Sequence, residues 1–187
     1  MRLVFVGPPG SGKGTQAKLL HERLGLTTIG TGDMFREAVA HKTPVGSRVE
    51  SYIHSGKLVP DDLVIELVAE LFRSDNHPTR FVLDGFPRTL AQAVALEAIL
   101  RQNHLDLKAV LKFEIPDEEI VERLGGRRMT QGRSDDGEET VRKRLRIYHD
   151  YADSLCEHYR RQGLLAVVDA TADVETVYRT IVTLSKG

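Results

Sequence analysis

The chain of 187 residues lacks several features on which particular classes of protein depend. Its one cysteine, Cys156, can form no internal disulfide bond, and it excludes a metal site built from a cluster of cysteines. The formal net charge is −1, so we expect no general attraction to nucleic acid or to an anionic membrane. No apolar run approaches the length that spans a bilayer, and the first residues lead directly into a predicted strand rather than a secretory signal. These absences predict a cytoplasmic protein without a membrane partner.

The composition is that of an ordinary globular domain. Hydrophobic residues make up 41% of the chain and charged residues 28%, which excludes a disordered protein. The length suits one domain over residues 1–187 with a sizeable core. None of the seven histidines lies in a recognisable motif, so the sequence offers no candidate for a general base.

Apolar strand candidates alternate with amphipathic helix patterns along the chain. Between residues 61 and 73, for example, apolar side chains recur at helical spacing and form one stripe. Nearly continuous apolar strands separated by helices predict an α/β fold with a parallel sheet covered on both faces. Ligands in such sheets bind at the carboxyl ends of the strands. The strand candidates are residues 2–6, 27–30, 80–83, 109–115 and 165–169.

Two stretches interrupt this alternation. Residues 31–59 contain no strand candidate and predict two short helices joined around Thr43 and Pro44. Residues 124–137 are polar, rich in glycine and without apolar periodicity, which predicts a structureless loop. A loop of this length inside a compact domain is usually functional or disordered.

The first strand candidate is followed by a phosphate-binding motif. Residues 7–15 read GPPGSGKGT and fit Gly-x-x-x-x-Gly-Lys, with a buried strand before the motif and an amphipathic helix after it. Glycines allow the backbone N–H groups to turn inward around anionic oxygens, and the helix N-terminus and Lys13 add positive charge. The motif predicts a nucleoside triphosphate site. The position after Lys13 often carries a hydroxyl that binds magnesium, but here it is Gly14, and the hydroxyl follows at Thr15.

Asp84 follows the apolar stretch at residues 81–83 and precedes Gly85. A carboxylate at the end of a buried strand beside a phosphate loop is suited to hold Mg²⁺, directly or through water. The alternative is an aspartate that forms a turn before glycine. Farther along, Thr89 and Gln92 fit a helix capping box, in which the Gln92 side chain reaches back to the Thr89 N–H.

Several arginines lie where phosphoryl transfer would need them. Transfer between two nucleotides gathers negative charge around one phosphorus, and guanidinium groups are suited to neutralise it. Each arginine alone could equally be a solvated surface residue. The functional interpretation is stronger for Arg127 and Arg133, because they lie in the predicted loop of residues 124–137, where exposed arginines have little reason to pack. The arginines are Arg36, Arg88, Arg123, Arg127, Arg133 and Arg144.

Taken together, the motifs resemble the adenylate kinase family over nearly the whole chain. The resemblance rests on residues 7–16 (GPPGSGKGTQ), 31–36 (TGDMFR), 56–60 (GKLVP), 84–89 (DGFPRT) and 139–145 (ETVRKRL), in this order and spacing. It implies a P-loop NTPase-type sheet of five parallel strands flanked by helices, with two small mobile inserts. Residues 30–59 would form the monophosphate-binding insert, and residues 126–136 would form a short lid over ATP.

The resemblance also implies roles for individual residues. Those implied to bind ATP are Gly10, Ser11, Gly12, Lys13, Gly14, Thr15, Arg127 and Ala172, the last through its backbone. Those implied to bind AMP are Thr31, Arg36, Lys57, Leu58, Val59, Gly85, Phe86, Pro87, Arg88, Gln92, Arg133 and Arg144. The implied catalytic residues are Lys13, Arg88, Arg127, Arg133 and Arg144. Asp84 would hold Mg²⁺, through water.

The implied reaction is reversible, magnesium-dependent transfer from ATP to AMP, which gives two ADP and maintains the adenine nucleotide balance. The lid segment is too short for the zinc-binding form of this family, so the resemblance implies a form without structural zinc. It also implies a monomer, which is the default for the family. A UMP/CMP kinase of the same superfamily is the nearest alternative, but such relatives tend to carry Ala and Asn where this chain has Thr31 and Thr89. A non-catalytic nucleotide switch is disfavoured, because the chain contains no Asn-Lys-x-Asp guanine motif.

Overall fold

A parallel sheet lies at the centre of the computed structural model, which describes residues 1–131 and 137–185, with the backbone alone for residues 127–131. Its strands are β1 (Arg2–Val6), β2 (Thr27–Gly30), β3 (Phe81–Asp84), β4 (Ala109–Glu114) and β5 (Leu165–Asp169). They form a five-stranded sheet in the order β2-β3-β1-β4-β5, and each neighbouring pair is parallel. The predicted α/β class is confirmed. The third strand begins one residue later than predicted and includes Asp84, which pairs with Phe5.

Helices cover both faces of this sheet. They are α1 (Lys13–Leu24), α2 (Thr31–Ala40), α3 (Pro44–His54), α4 (Asp61–Arg73), α5 (Leu90–Gln102), α6 (Asp117–Gln131), α7 (Glu138–Arg161) and α8 (Val174–Leu184). Two short helices do occupy residues 31–59, as predicted. Within the described ranges, no helix is long and apolar enough to span a bilayer.

The two faces of the sheet bury separate apolar clusters, because side chains alternate along each strand. On β1, Val4 and Val6 face a cluster shared with α4, α5 and α7. Leu3 and Phe5 face the opposite cluster, which includes residues of α1 and α8. These four side chains are at most 3% exposed. Such burial on both faces holds the carboxyl end of β1, where the phosphate motif begins, in a rigid frame.

The insert formed by α2 and α3 is packed backbone against backbone. A Cβ built on Gly46 would lie 2.1 Å from the carbonyl oxygen of Ala38, so no larger residue fits between the helices. Thr43 caps α3 by accepting a hydrogen bond from the Gly46 N–H at 3.0 Å, and Pro44 occupies the first helical turn. The insert is therefore a compact helical hairpin.

Helix α6 extends further than the composition of residues 124–137 predicts. It continues to Gln131, so the expected structureless loop is wrong for its first part, and residues 132–136 lie outside the described residues. An acidic first turn favours this helix through its dipole. Ile120 and Leu124 are buried against α7, which offsets the roughly 1 kcal/mol that each glycine costs in a helix interior.

Candidate active site

The glycine-rich loop between β1 and α1 is held in close contact with its surroundings. Gly10 and Gly12 have φ angles of 82° and 88°, a region that residues with a side chain rarely adopt. A Cβ on Gly10 would lie 2.8 Å from Cγ of Leu124 on α6, and one on Gly7 would lie 2.9 Å from Cβ of Phe113 on β4. The loop therefore needs glycine both for its backbone conformation and for its packing.

Lys13 spans the mouth of this loop. Its Nζ donates to the carbonyl oxygens of Gly7 at 2.9 Å and Pro8 at 2.6 Å, and to Oγ of Ser11 at 3.1 Å. Ser11 is only 2% exposed, and its hydroxyl donates to the Pro8 carbonyl at 2.9 Å. The ammonium group is thus held over the loop, where backbone N–H groups and the N-terminus of α1 also favour an anion.

A cleft of about 540 Å³ opens at the carboxyl ends of β1, β2 and β3 and brings most of the predicted site residues together. The predicted residues that line it are Gly10, Gly12, Lys13, Gly14, Thr15, Thr31, Arg36, Lys57, Leu58, Val59, Asp84, Gly85, Pro87, Arg88, Gln92 and Arg144. One continuous space therefore joins the phosphate loop to the insert.

Five predicted residues stand apart from this lining set. Ser11 and Phe86 are buried beside it, at 2% and 0% exposure. Ala172 follows β5 and packs against the apolar cluster that includes α8 residues. The backbone of Arg127 lies in α6, but its side chain, like the whole of Arg133, lies outside the described residues.

Four arginines of the described chain line the cleft, each from a different segment: Arg36, Arg88, Arg123 and Arg144. Arg36 pairs with Asp33 within α2 at 2.6 Å, and the Nε of Arg88 donates to the Gly85 carbonyl at 2.9 Å. Guanidinium groups that converge from separate segments on one cleft form a site suited to a polyanion.

Arg123 is a lining residue that the sequence did not assign to either nucleotide. It projects from α6, where it also pairs with Glu119 one turn earlier at 2.5 Å. A helical period continued through Gly125 and Gly126 would have placed Arg123 one turn before Arg127 on the same face. The glycine pair concealed this signal, because it favoured a loop.

Asp84 faces the first turn of α1. Its Oδ2 lies 3.8 Å from the position of a Cβ built on Gly14, an ordinary contact distance that leaves the carboxylate directed at the cleft. The Thr15 hydroxyl lines the same cleft. Carboxylate and hydroxyl oxygens are the ligands that Mg²⁺ prefers, directly or through water, so the donors here fit that ion.

Gly85 brings two polar residues of the cleft together. Its φ is 84°, and a Cβ there would lie 3.0 Å from Oγ1 of Thr31 and 3.2 Å from a terminal nitrogen of Arg88. Thr31, at the start of α2, is only 3% exposed. A larger residue at Gly85 would separate the hydroxyl from the guanidinium and close this part of the cleft.

The end of the insert rests on α7. Gly56 has φ 65°, and a Cβ there would lie 2.9 Å from Cγ2 of Thr140 and 3.2 Å from Cγ of Arg144. The Nζ of Lys143 donates to the Ser55 carbonyl at 2.8 Å. These contacts place the segment of residues 57–59 beside Arg144.

Tyr151 lines the cleft together with Arg88 and Arg144 and is neutral near pH 7. Burial raises the pKa of Tyr151, and the positive charges of Arg88 and Arg144 lower it by less. The side chain lines the cleft as a wall rather than as a charged group.

The predicted cap at Thr89 is present, but Gln92 bonds differently from the prediction. The Thr89 hydroxyl accepts from the Gln92 N–H at 3.2 Å, as expected of an N-cap. The Gln92 Oε1, however, accepts from the Arg88 N–H at 2.7 Å instead of the Thr89 N–H. The reason is tertiary: Asp61 of α4 accepts from Nε2 at 2.7 Å and orients the amide toward the preceding residue.

Comparison with known proteins gives one consistent family. A family model described as adenylate kinase matches residues 5–164. The chain is 45% identical to an adenylate kinase of Thermus thermophilus, over 96% of this chain and 94% of the relative. It is 46% identical to an adenylate kinase of Rhizobium meliloti, over 95% of each chain. For an adenylate kinase of Archaeoglobus fulgidus the identity is 41%, over 97% of this chain and 96% of the relative.

Proposed function

The chain belongs to the adenylate kinase family, and from this membership we infer that it transfers a phosphoryl group reversibly between ATP and AMP to give two ADP. The inference is carried by one observation: Lys13 of the phosphate loop and Arg88, which follows β3, line the same cleft. ATP binds through its phosphates at the loop, and AMP binds against the insert. The two phosphate groups then meet among the arginines.

The chemistry needs charge stabilisation more than proton transfer. Lys13 and the loop N–H groups stabilise the β- and γ-phosphates of ATP, and Arg88 and Arg144 neutralise charge on the group in transfer. The acceptor is a phosphate oxygen that is already ionised near neutral pH, so no general base is required. Transfer is direct and in line, without a phosphorylated enzyme.

Two further groups of residues serve the nucleotides. Arg36, Thr31 and the segment of residues 57–59 hold the monophosphate against the insert, and the Gln92 amide meets its base. Arg123, which the sequence did not assign, lies on the side of the phosphate loop and is suited to the triphosphate. Support comes from the distinct segments that carry these side chains into the same cleft.

A turnover assay tests this function directly. The protein is incubated with ATP, Mg²⁺ and each of AMP, UMP and CMP, and ADP formation is followed. We expect AMP to be preferred in kcat/KM by about 10²-fold or more, because a site that hydrogen-bonds one base leaves polar groups unpaired with another. Preference for UMP or CMP would indicate a pyrimidine kinase, and no turnover with any acceptor would indicate a nucleotide-binding switch.

Mg²⁺ is proposed as the cofactor, with Asp84 as the residue that holds it through water. Bound Mg²⁺ supplies positive charge to the phosphate oxygens. Asp84 contributes a carboxylate fixed at the end of β3, next to the turn that begins α1. Support comes from the oxygen donors described above and from the small residue at Gly14, which leaves this carboxylate uncovered.

Asp84→Asn is expected to raise the Mg²⁺ concentration for half-maximal turnover about 10–100-fold, because the amide keeps the shape but loses the charge that orients the ion's water. The measurement is turnover against free Mg²⁺ at fixed nucleotide concentration. Asp75→Asn, at an exposed position away from the cleft, is the matched control. An unchanged Mg²⁺ requirement in Asp84→Asn would remove Asp84 from the metal site.

Residues 126–136 are proposed to act as a lid that carries Arg127 and Arg133 onto the phosphates and excludes water from the transfer. Support comes from α6, which enters the cleft at Arg123 and continues into Gly125 and Gly126, where a built Cβ meets nothing within 4 Å.

We expect amide exchange over residues 126–136 to slow when an analogue that spans both nucleotide sites binds, because closure would protect this segment. Amides of α8 serve as the internal reference. High protection in the free protein that binding leaves unchanged would contradict a gating role.

The protein is further proposed to be a cytoplasmic monomer without structural zinc. Residues 125–137 contain neither cysteine nor histidine, so they lack the soft ligands of a structural zinc site. Metal analysis of untagged protein tests the absence of structural zinc, and the mass of the protein in solution tests the monomeric state.

A further inference from the structure

The first turns of α4 and α5 are joined by one carboxylate. Asp61, the first residue of α4, accepts two hydrogen bonds from the start of α5. Its Oδ2 accepts from the Thr89 hydroxyl at 2.8 Å, and its Oδ1 accepts from Nε2 of Gln92 at 2.7 Å. Both oxygens of this half-buried carboxylate are therefore occupied, one by the cap residue of α5 and the other by Gln92, which lines the cleft.

These contacts leave the Gln92 amide only one orientation. Its Oε1 accepts from the Arg88 N–H at 2.7 Å, and Nε2 donates to Asp61. A backbone N–H can only donate, and a carboxylate can only accept. If the Gln92 amide were flipped, its NH₂ group would face the Arg88 N–H and its oxygen would face the Asp61 carboxylate, so both hydrogen bonds would be lost. Gln92 is 1% exposed, so water cannot replace either lost bond cheaply.

An amide fixed in this way presents a defined pattern to a ligand. One lone pair on Oε1 and one hydrogen on Nε2 remain for a base in the cleft. The edge of a 6-aminopurine offers a donor at its amino group next to an acceptor nitrogen, which complements that pattern. A 6-oxopurine offers the reverse order and leaves both partners unsatisfied.

We propose that Asp61 is a positioning residue that fixes the Gln92 amide and thereby selects a 6-amino over a 6-oxo purine monophosphate at the acceptor site. This inference rests on the proposed function and deepens it. Asp61 touches neither nucleotide, and it acts through Gln92. It also follows directly after residues 57–60, so the same carboxylate connects the end of the insert to the segment that carries Arg88.

Asp62 provides a matched control. It stands beside Asp61 in the acidic first turn of α4, and it is exposed. Both carboxylates interact with the positive end of the helix dipole. A loss of activity shared by Asp61→Ala and Asp62→Ala would therefore reflect the stability of α4 alone. Of the two, Asp61 is the one that bonds to Gln92.

The test compares Asp61→Ala, Asp61→Asn and Asp62→Ala in kcat and KM for AMP, IMP and ATP. Without the Asp61 carboxylate, Nε2 of Gln92 is a buried donor that has lost its acceptor, and the Gln92 amide can rotate. In Asp61→Ala we therefore expect kcat/KM for AMP to fall about tenfold, and the preference for AMP over IMP to fall by a similar factor. The KM for ATP should stay within about twofold of wild type. Asp61→Asn should restore most of the preference, because its amide oxygen can still accept from Gln92.

Equal AMP-to-IMP ratios in Asp61→Ala and Asp62→Ala, or equal losses for ATP and AMP, would overturn the proposal. If Asp61→Ala does not fold, Asp61→Ser carries the same expectation, since its hydroxyl is too short to reach Gln92. A wild-type protein that does not phosphorylate AMP would refute the proposed function itself. A wild-type protein that prefers AMP while Asp61→Ala keeps the full preference would refute only the role of Asp61.

Discussion

Lys13→Met is expected to lower kcat about 10²–10³-fold while the protein still folds. The Lys13 ammonium bridges the Gly7 and Pro8 carbonyls over the phosphate loop, and its proposed role is to stabilise the β- and γ-phosphates of ATP. Methionine has a similar length and no charge, so the variant removes electrostatic stabilisation of the transferring group and leaves the loop glycines in place. The measurement is kcat under saturating ATP and AMP, together with the rise in melting temperature that ADP produces.

A matched control separates the loss of this charge from a general loss of stability. Lys108→Met replaces an exposed lysine outside the cleft and should leave turnover and the response to ADP unchanged. Lys13→Met also removes hydrogen bonds within the loop, so its melting temperature without nucleotide should be measured first. Kinetics like those of the wild type in a folded Lys13→Met protein would refute the phosphate-loop assignment.

Arg88→Ala is expected to reduce kcat/KM for AMP about 10²–10³-fold, while ATP binding in the absence of AMP changes little. Arg88 lines the cleft, and its Nε already donates to the Gly85 carbonyl, so its guanidinium is oriented before a ligand arrives. Alanine would remove the proposed bidentate partner of the acceptor phosphate and leave that charge uncompensated in the transition state. Steady-state kinetics with AMP and calorimetry with ATP measure the two effects.

Arg101→Ala, at an exposed position near the end of α5, is the control and should behave like the wild type. Arg36→Ala should weaken AMP binding, as Arg88→Ala does, because Arg36 lines the insert side of the cleft. Equal losses of ATP and AMP affinity in Arg88→Ala would show that the arginine serves both nucleotides rather than the acceptor alone.

Much of the scaffold followed from local pattern. The bounds of β1 at Arg2–Val6 and of α4 at Asp61–Arg73 are those that the apolar runs predicted. Strands buried on both faces read as unbroken apolar stretches, and an amphipathic helix repeats its apolar residues every three or four positions. The phosphate motif was equally legible, because glycines and a lysine at this fixed spacing between a strand and a helix are typical of a loop that cradles phosphates.

The prediction failed where long-range packing outweighed local preference. Gly125 and Gly126 argued for a loop, yet α6 runs through them because Leu124 is buried against α7. Arg123 was consequently assigned to neither nucleotide, although it lines the cleft from this helix.

The sequence by itself determined the fold class, the phosphate loop and the family, since each depends on patterns of residues that are close together along the chain. Only the tertiary structure decided how the Gln92 amide is oriented, because its partner Asp61 lies 31 positions away and is brought near by the packing of α4 on α5. A helix cap is a local interaction that a capping box can announce. The orientation of a buried amide depends on every donor and acceptor around it, and those neighbours exist only once the chain has folded.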